Sequence, residues 1–261
     1  MNAHTPDFVK PAKIVIKVKR QDRPEAAAYW QTFELPYKPN MNVTSVLQAI
    51  SANPVTTEGQ KTSPPTYDAA CLEEVCGSCT MLINGTARQA CSALIDHILA
   101  TAPGLITIEP MTKFPLIRDL QVDRTRMFEN LKRIKGWLPI DGTYALGQGP
   151  KIDPPTQEKA YDLSRCMTCG CCLEACPQFT LDNSFVGAQI LSQVRYFNMH
   201  PTGKVHAGER LEAVMGQGGV TDCGNAQNCV RVCPKEIPLV DSIGAVGRDA
   251  TVYSIKKFFA K

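Results

Sequence analysis

No cysteine precedes Cys71, although the chain of 261 residues has twelve. A scatter of isolated structural thiols is therefore excluded, and clustered use is implied. Long apolar runs are missing as well. Nothing approaches the roughly 18 consecutive apolar residues that a membrane-crossing helix needs, and the opening MNAHTPDFVKPAK lacks the apolar stretch of a secretory leader. The chain is expected to be intracellular, where thiols stay reduced and grouped cysteines usually hold metal. Charge of one sign is scarce: 28 Lys and Arg against 25 Asp and Glu leave a formal +3, spread along the sequence, so no nucleic acid is expected as a partner. A dinucleotide Gly-rich loop, a nucleophile elbow and an acid/base constellation are all absent, and no catalytic residue is assigned.

The length suits two domains, each with its own core. In Lys13–Lys19 the alternation puts Ile14, Ile16 and Val18 on one face of a strand, and Tyr29–Leu35 reads as a second. Asn42 is placed to cap a helix carrying Val43, Val46, Leu47 and Ile50 on one side. Met81–Ala87 brackets Asn84-Gly85, a hairpin signal, and Leu105–Glu109 can close the sheet. These elements predict a β-grasp domain over 1–112. Ile117–Leu138 then has helical spacing at Met127, Leu131, Ile134 and Leu138, Pro139–Pro155 reads as a loop, and an α-helical domain over 113–261 is expected, giving an α+β chain.

Three cysteine groups carry the chemistry. Cys71-x4-Cys76-x2-Cys79, with Cys91 after the hairpin, has the plant-type spacing for a [2Fe–2S] cluster; small Gly77 and Ser78 between ligands let backbone N–H groups approach sulfur. A structural zinc site is the alternative for four cysteines. Cys166-x2-Cys169-x2-Cys172-x3-Cys176-Pro177 is a bacterial-ferredoxin run, whose fourth cysteine serves the other cluster in two-cluster proteins. Cys223-x5-Cys229-x3-Cys233-Pro234 repeats it with Ala226 where Cys169 stands. Crossed ligation gives one cluster Cys166, Cys169, Cys172 and Cys233, a [4Fe–4S] cubane. The other receives Cys176, Cys223 and Cys229. Three thiolates point to [3Fe–4S], with a cubane bearing one non-cysteine ligand as the competing reading. Cys171 falls outside the spacing and reads as a small buried neighbour; His97, His200 and His206 read as surface or packing residues. Basic and apolar Tyr253–Phe259 either touches a membrane subunit or ends a helix. Three clusters and no substrate site describe a wire between redox partners.

The stretches CLEEVCGSCTMLINGTARQAC, RDLQVDRTRMF, RCMTCGCCLEACP and CGNAQNCVRVCPKEIPL make the whole chain resemble the iron–sulfur subunits of succinate dehydrogenases and fumarate reductases. That resemblance implies a flavoprotein partner with FAD, where succinate and fumarate interconvert, and a membrane anchor that handles quinone at the cytoplasmic face of a bacterial inner membrane. It implies electron flow from FAD through [2Fe–2S], [4Fe–4S] and [3Fe–4S], in either direction of the overall reaction. Pro177 is retained as a cofactor-binding residue. The Trp and His that shape the quinone pocket of ubiquinone-type members are replaced by Leu181 and Gly224. The chain is thus more similar to menaquinone-type members with a dihaem cytochrome b anchor. A zinc-stabilised interaction scaffold is the reading from another class.

Overall fold

The computed structural model describes residues 10–139 and 149–260. The opening segment 1–9, most of the expected Pro139–Pro155 loop (140–148) and residue 261 lie outside the described residues. Two compact units divide between Asp123 and Arg124.

The first unit is a mixed sheet packed on short helices. β1 (Lys13–Arg20) pairs antiparallel with β2 (Tyr29–Pro36). The Asn-Gly hairpin comprises β3 (Thr80–Ile83) and β4 (Thr86–Gln89), and β5 (Ile106–Glu109) lies between β1 and β3 in the order β2-β1-β5-β3-β4. Strand β5 runs parallel to β1 and antiparallel to β3. Asn84 and Gly85 have φ of 47° and 74°. Both values are left-handed, as the tight two-residue turn matching strand twist requires, and Asn and Gly tolerate them at least cost. Helix α1 (Val43–Ala52) starts at a capping box in which Asn42 Oδ1 accepts the Ser45 N–H at 2.8 Å and Ser45 Oγ accepts the Asn42 N–H at 3.0 Å. Its Val46, Leu47 and Ile50 join Ile14, Ile16, Val18, Phe33 and Ile106 in one core. A further helix, α2 (Ile95–Thr101), buries Ile95, Ile98 and Leu99; it is too short for its periodicity to stand out in the sequence.

The inward alternation of β1 does not stop at Val18. Its next member is Arg20, fully buried. The guanidinium meets Asp119, also fully buried, with Nε to Oδ1 at 2.9 Å and Nη2 to Oδ2 at 3.2 Å. Asp119 also accepts the N–H groups of Gln21 (3.1 Å) and Thr66 (2.9 Å). It sits at the tip of a small hairpin, β6 (Leu116–Arg118) and β7 (Gln121–Val122), with a φ of 48°. This hairpin corrects one expectation. The helix expected over Ile117–Leu138 is confined to α3 (Thr125–Arg133), where Met127 is buried, while Leu138 is exposed. Asp119 ties the hairpin to the first unit, which runs to Asp123.

The second unit is helical. Asp153 caps α4 (Pro154–Ser164) by accepting the Thr156 N–H at 3.1 Å, with both prolines in the first turn, where no N–H donor is needed. The expected loop therefore ends at Asp153 rather than Pro155. Two four-residue helices, α5 (Cys171–Glu174) and α8 (Asn228–Arg231), lie on either side of α6 (Gly187–Met199) and α7 (Ala207–Met215) in the sequence, and α9 (Leu239–Phe259) packs along α6. Phe179, Phe185, Ile190, Leu191, Val194 and Val246 fill the core. Tyr253–Phe259 forms the last turns of α9, with Phe258 and Phe259 exposed. Among the described residues no helix is long and apolar enough to cross a membrane.

Burial alone would raise the Asp119 carboxyl, but its bonds from Arg20, Thr66 and Gln21 outweigh that and hold it below the usual carboxylate range. Such a depressed group stabilises the fold above its unfolded pKa, and the contribution is lost as pH falls through the folded value. Removing one partner of a buried pair strands the other charge. Asp119→Ala should cost about 3–5 kcal/mol at neutral pH, read as faster hydrogen exchange at the amides of Gln21 and Thr66; unchanged exchange there would contradict the role given to the pair.

Candidate metal centres

The first group of thiols is gathered by a loop with repeated left-handed residues. Leu72, Glu74 and Gly77 have φ of 62°, 55° and 70°, and this winding turns successive N–H groups inward. Cys71 Sγ accepts the N–H groups of Glu73 (3.4 Å), Val75 (3.3 Å) and Cys76 (3.3 Å). Cys76 Sγ accepts that of Ser78 at 3.4 Å, and Cys91 Sγ that of Glu74 at 3.3 Å. Cys79 enters β3 and Cys91 leaves β4, and the hairpin holds them together through the Ala90 N–H on Cys79 O at 3.1 Å. Cys79 and Cys91 are buried, while Cys71 and Cys76 are half-buried. Burial pushes the Cys91 thiol up to about 11, with Cys79 and Cys71 adding to it. Burial opposes ionisation of Cys76 too, but hydrogen bonds from Ser78 and Cys71 bring it down to about 6. The four thiols thus feel one another, and donors aimed at sulfur are in place for an anionic iron–sulfur core.

In the second unit the two cysteine runs correspond position for position. Thr168 and Asn225 have φ of 53° and 52°, Gly170 and Gln227 are left-handed at 90° and 60°, and each run then makes one four-residue helix, α5 or α8. The Cys176 N–H donates to Leu173 O at 3.1 Å, and the Cys233 N–H to Val230 O at 3.4 Å. Ala226 therefore stands where Cys169 stands.

The thiols gather in two chambers, and the runs cross. One chamber is lined by Cys166, Cys169, Cys172 and, from the other run, Cys233. The other is lined by Cys223, Cys229 and, from the first run, Cys176, with Ala226 and Pro177 in its wall. Burial raises Cys172 well above the ordinary thiol, with Cys169, Cys166 and Cys233 next in order and Cys229 of the other chamber last. Cys166 is raised by burial and by Cys169 and Cys233. Cys229 is raised by burial and by Cys176 and Cys223.

The remaining candidates sit as follows. Cys171 is fully buried at the start of α5, in the wall of the first chamber. Its counterpart in the second run is Asn228, whose Nδ2 donates to Ala175 O at 3.0 Å. His200 Nδ1 accepts the Thr202 N–H at 3.2 Å, His206 Nδ1 pairs with Glu209 at 2.7 Å, and His97 lies half-buried on α2. Leu181 is exposed. At Gly224 an added Cβ would lie 2.6 Å from Gln178 Nε2, so the glycine makes room for that carboxamide. Gln178 and Lys235, each directly after a Cys–Pro, border the second and first chambers. The sequence reading passed over both, although the repeat aligns them.

Two families match the chain: one described as a 2Fe-2S iron-sulfur cluster binding domain over residues 15–129, and one described as a 4Fe-4S dicluster domain over residues 162–237. The succinate dehydrogenase iron-sulfur subunit of Bacillus subtilis (strain 168) is 53% identical over 242 residues, covering 93% of this chain and 94% of that protein. The fumarate reductase iron-sulfur subunit of Wolinella succinogenes is 30% identical over 241 residues, covering 90% and 96%. A chain of the Mycobacterium smegmatis Sdh1 complex in the apo form shares the fold, with a TM-score of 0.73 at 21% identity over 91% of this chain and 95% of that one. Identity of this extent, running through both cysteine-bearing units, means that the chain belongs to the iron–sulfur subunits of succinate dehydrogenases and fumarate reductases, electron-transfer proteins with [2Fe–2S] and [4Fe–4S] clusters.

Proposed function

We propose that Cys71, Cys76, Cys79 and Cys91 hold the [2Fe–2S] cluster of a β-grasp domain. Cys166, Cys169, Cys172 and Cys233 hold [4Fe–4S], and Cys176, Cys223 and Cys229 hold [3Fe–4S]. When bound, the three clusters supply one-electron transfer in series between the FAD of a flavoprotein partner and a membrane anchor with quinone. The chain sits peripherally at the cytoplasmic face of a bacterial inner membrane, held there by those partners. The substitutions Leu181 and Gly224 favour the menaquinone type with a dihaem cytochrome b anchor. Pro177, in the wall of the second chamber, borders the cofactor on that side.

The observation that carries the ligand assignment is the exchange of Cys176 and Cys233 between chambers. Cys171 aside, which lies in the first chamber's wall but outside the repeated spacing, it leaves four thiols in one and three in the other, with Ala226 where the fourth would stand. The protein supplies placement: short helices and left-handed turns carry the sulfurs to the two chambers.

Ala226→Cys tests this directly. A fourth thiol should convert the second site to [4Fe–4S], so the EPR signal of the air-oxidised three-iron cluster should disappear from the assembled complex; its persistence at full intensity would contradict the assignment. Cys171→Ser should leave all three cluster signals in place, whereas Cys172→Ser should abolish the reduced [4Fe–4S] signal. Loss of that signal in Cys171→Ser would shift the ligand register.

A further inference from the structure

The turn that follows each Cys–Pro is built the same way. The Phe179 N–H donates to Cys176 O at 3.2 Å, and the Glu236 N–H to Cys233 O at 3.1 Å. Each bond closes a four-residue turn with proline second and one variable residue third, Gln178 or Lys235. Gln178 is held further by Asn183, whose Nδ2 donates to its carbonyl at 2.6 Å. Because the cysteines cross, each third residue is carried to the chamber of the opposite run, so Lys235 borders the first and Gln178 the second. These equivalent positions differ by one unit of charge. Lys235 is a half-buried cation, and Gln178 is a neutral carboxamide lying over Gly224.

The charge difference has a direct electrochemical meaning. Reducing a cluster adds one electron from the preceding carrier; no bond forms or breaks, and no proton has to move. A fixed positive charge nearby stabilises the reduced form and raises the potential, the more so where burial limits screening. We infer that the side chain after each Cys–Pro sets the potential of the cluster in the chamber it borders: the Lys235 ammonium raises that of the first chamber, and the Gln178 carboxamide leaves the second without this charge. This rests on the ligand assignment proposed above.

Redox titration of the assembled complex, followed by EPR, tests it. Lys235→Gln should lower the midpoint of the [4Fe–4S] cluster, Lys235→Arg should keep it, and neither should move the [2Fe–2S] midpoint. Gln178→Lys should raise the midpoint of the three-iron cluster alone, and the shift should shrink at high ionic strength. Unmoved midpoints in Lys235→Gln and Gln178→Lys, or a shift in Lys235→Arg as large as in Lys235→Gln, would overturn the inference. A complex that never shows a three-iron signal would refute the ligand assignment of the second chamber instead, and the Lys235 variants, read on the cubane, would still decide the inference.

Discussion

The exchange of Cys176 and Cys233 between the two runs is the constraint on which the second unit depends. A run that kept its own fourth cysteine could close its site by local folding. On the proposed ligand set, each chamber takes a thiol from a segment on the far side of α6 and α7 in the sequence. The helices must therefore be packed before either thiol set is complete, and a bound cluster in turn ties the two runs together. Such coupling makes cluster binding part of the folding free energy of the unit. The supporting contacts fit that need. Arg126 lies 4.1 Å over the Phe179 ring and donates to the carbonyls of Thr180 (2.6 Å) and Phe185 (2.9 Å), fixing the segment that leaves Cys176.

The first unit solves a similar problem by other means. Its four thiols come from one loop and one hairpin, so the required order is local, and the left-handed residues of the loop provide it. The segment leading into the loop is held from outside by Asp119, which accepts the Thr66 N–H, and by Gln121, whose Nε2 donates to Asp68 at 2.8 Å. A buried ion pair of this kind adds little net stability relative to an apolar pair. Its value lies in fixing which strands meet, since Arg20 has no other carboxylate partner among the described residues.

Much of this was legible in the sequence, and the gaps have physical causes. Alternation gave β1, a capping side chain gave the start of α1, and Asn84-Gly85 gave the hairpin, because each signal is local and lies within a few residues. Cysteine spacing suggests the proposed thiol sets for the same reason, and the repeat locates Ala226. The β6–β7 hairpin stayed hidden because its cause is Arg20, far away in the chain, while the local composition around Ile117 suits a helix. Helix α2 is only seven residues long, too few to display a period. Gln178 and Lys235 carry no motif of their own; their place at the chambers emerges only when the cysteines are seen to cross.

The crossing is the central claim, and Cys176→Ser in the assembled complex tests it most directly, because Cys176 lies in the same run as the thiols of the first chamber. Low-temperature EPR should show loss or alteration of the air-oxidised three-iron signal, with the reduced [4Fe–4S] signal retained. Loss of the [4Fe–4S] signal with the three-iron signal intact would place Cys176 in the chamber of its own run and contradict the account.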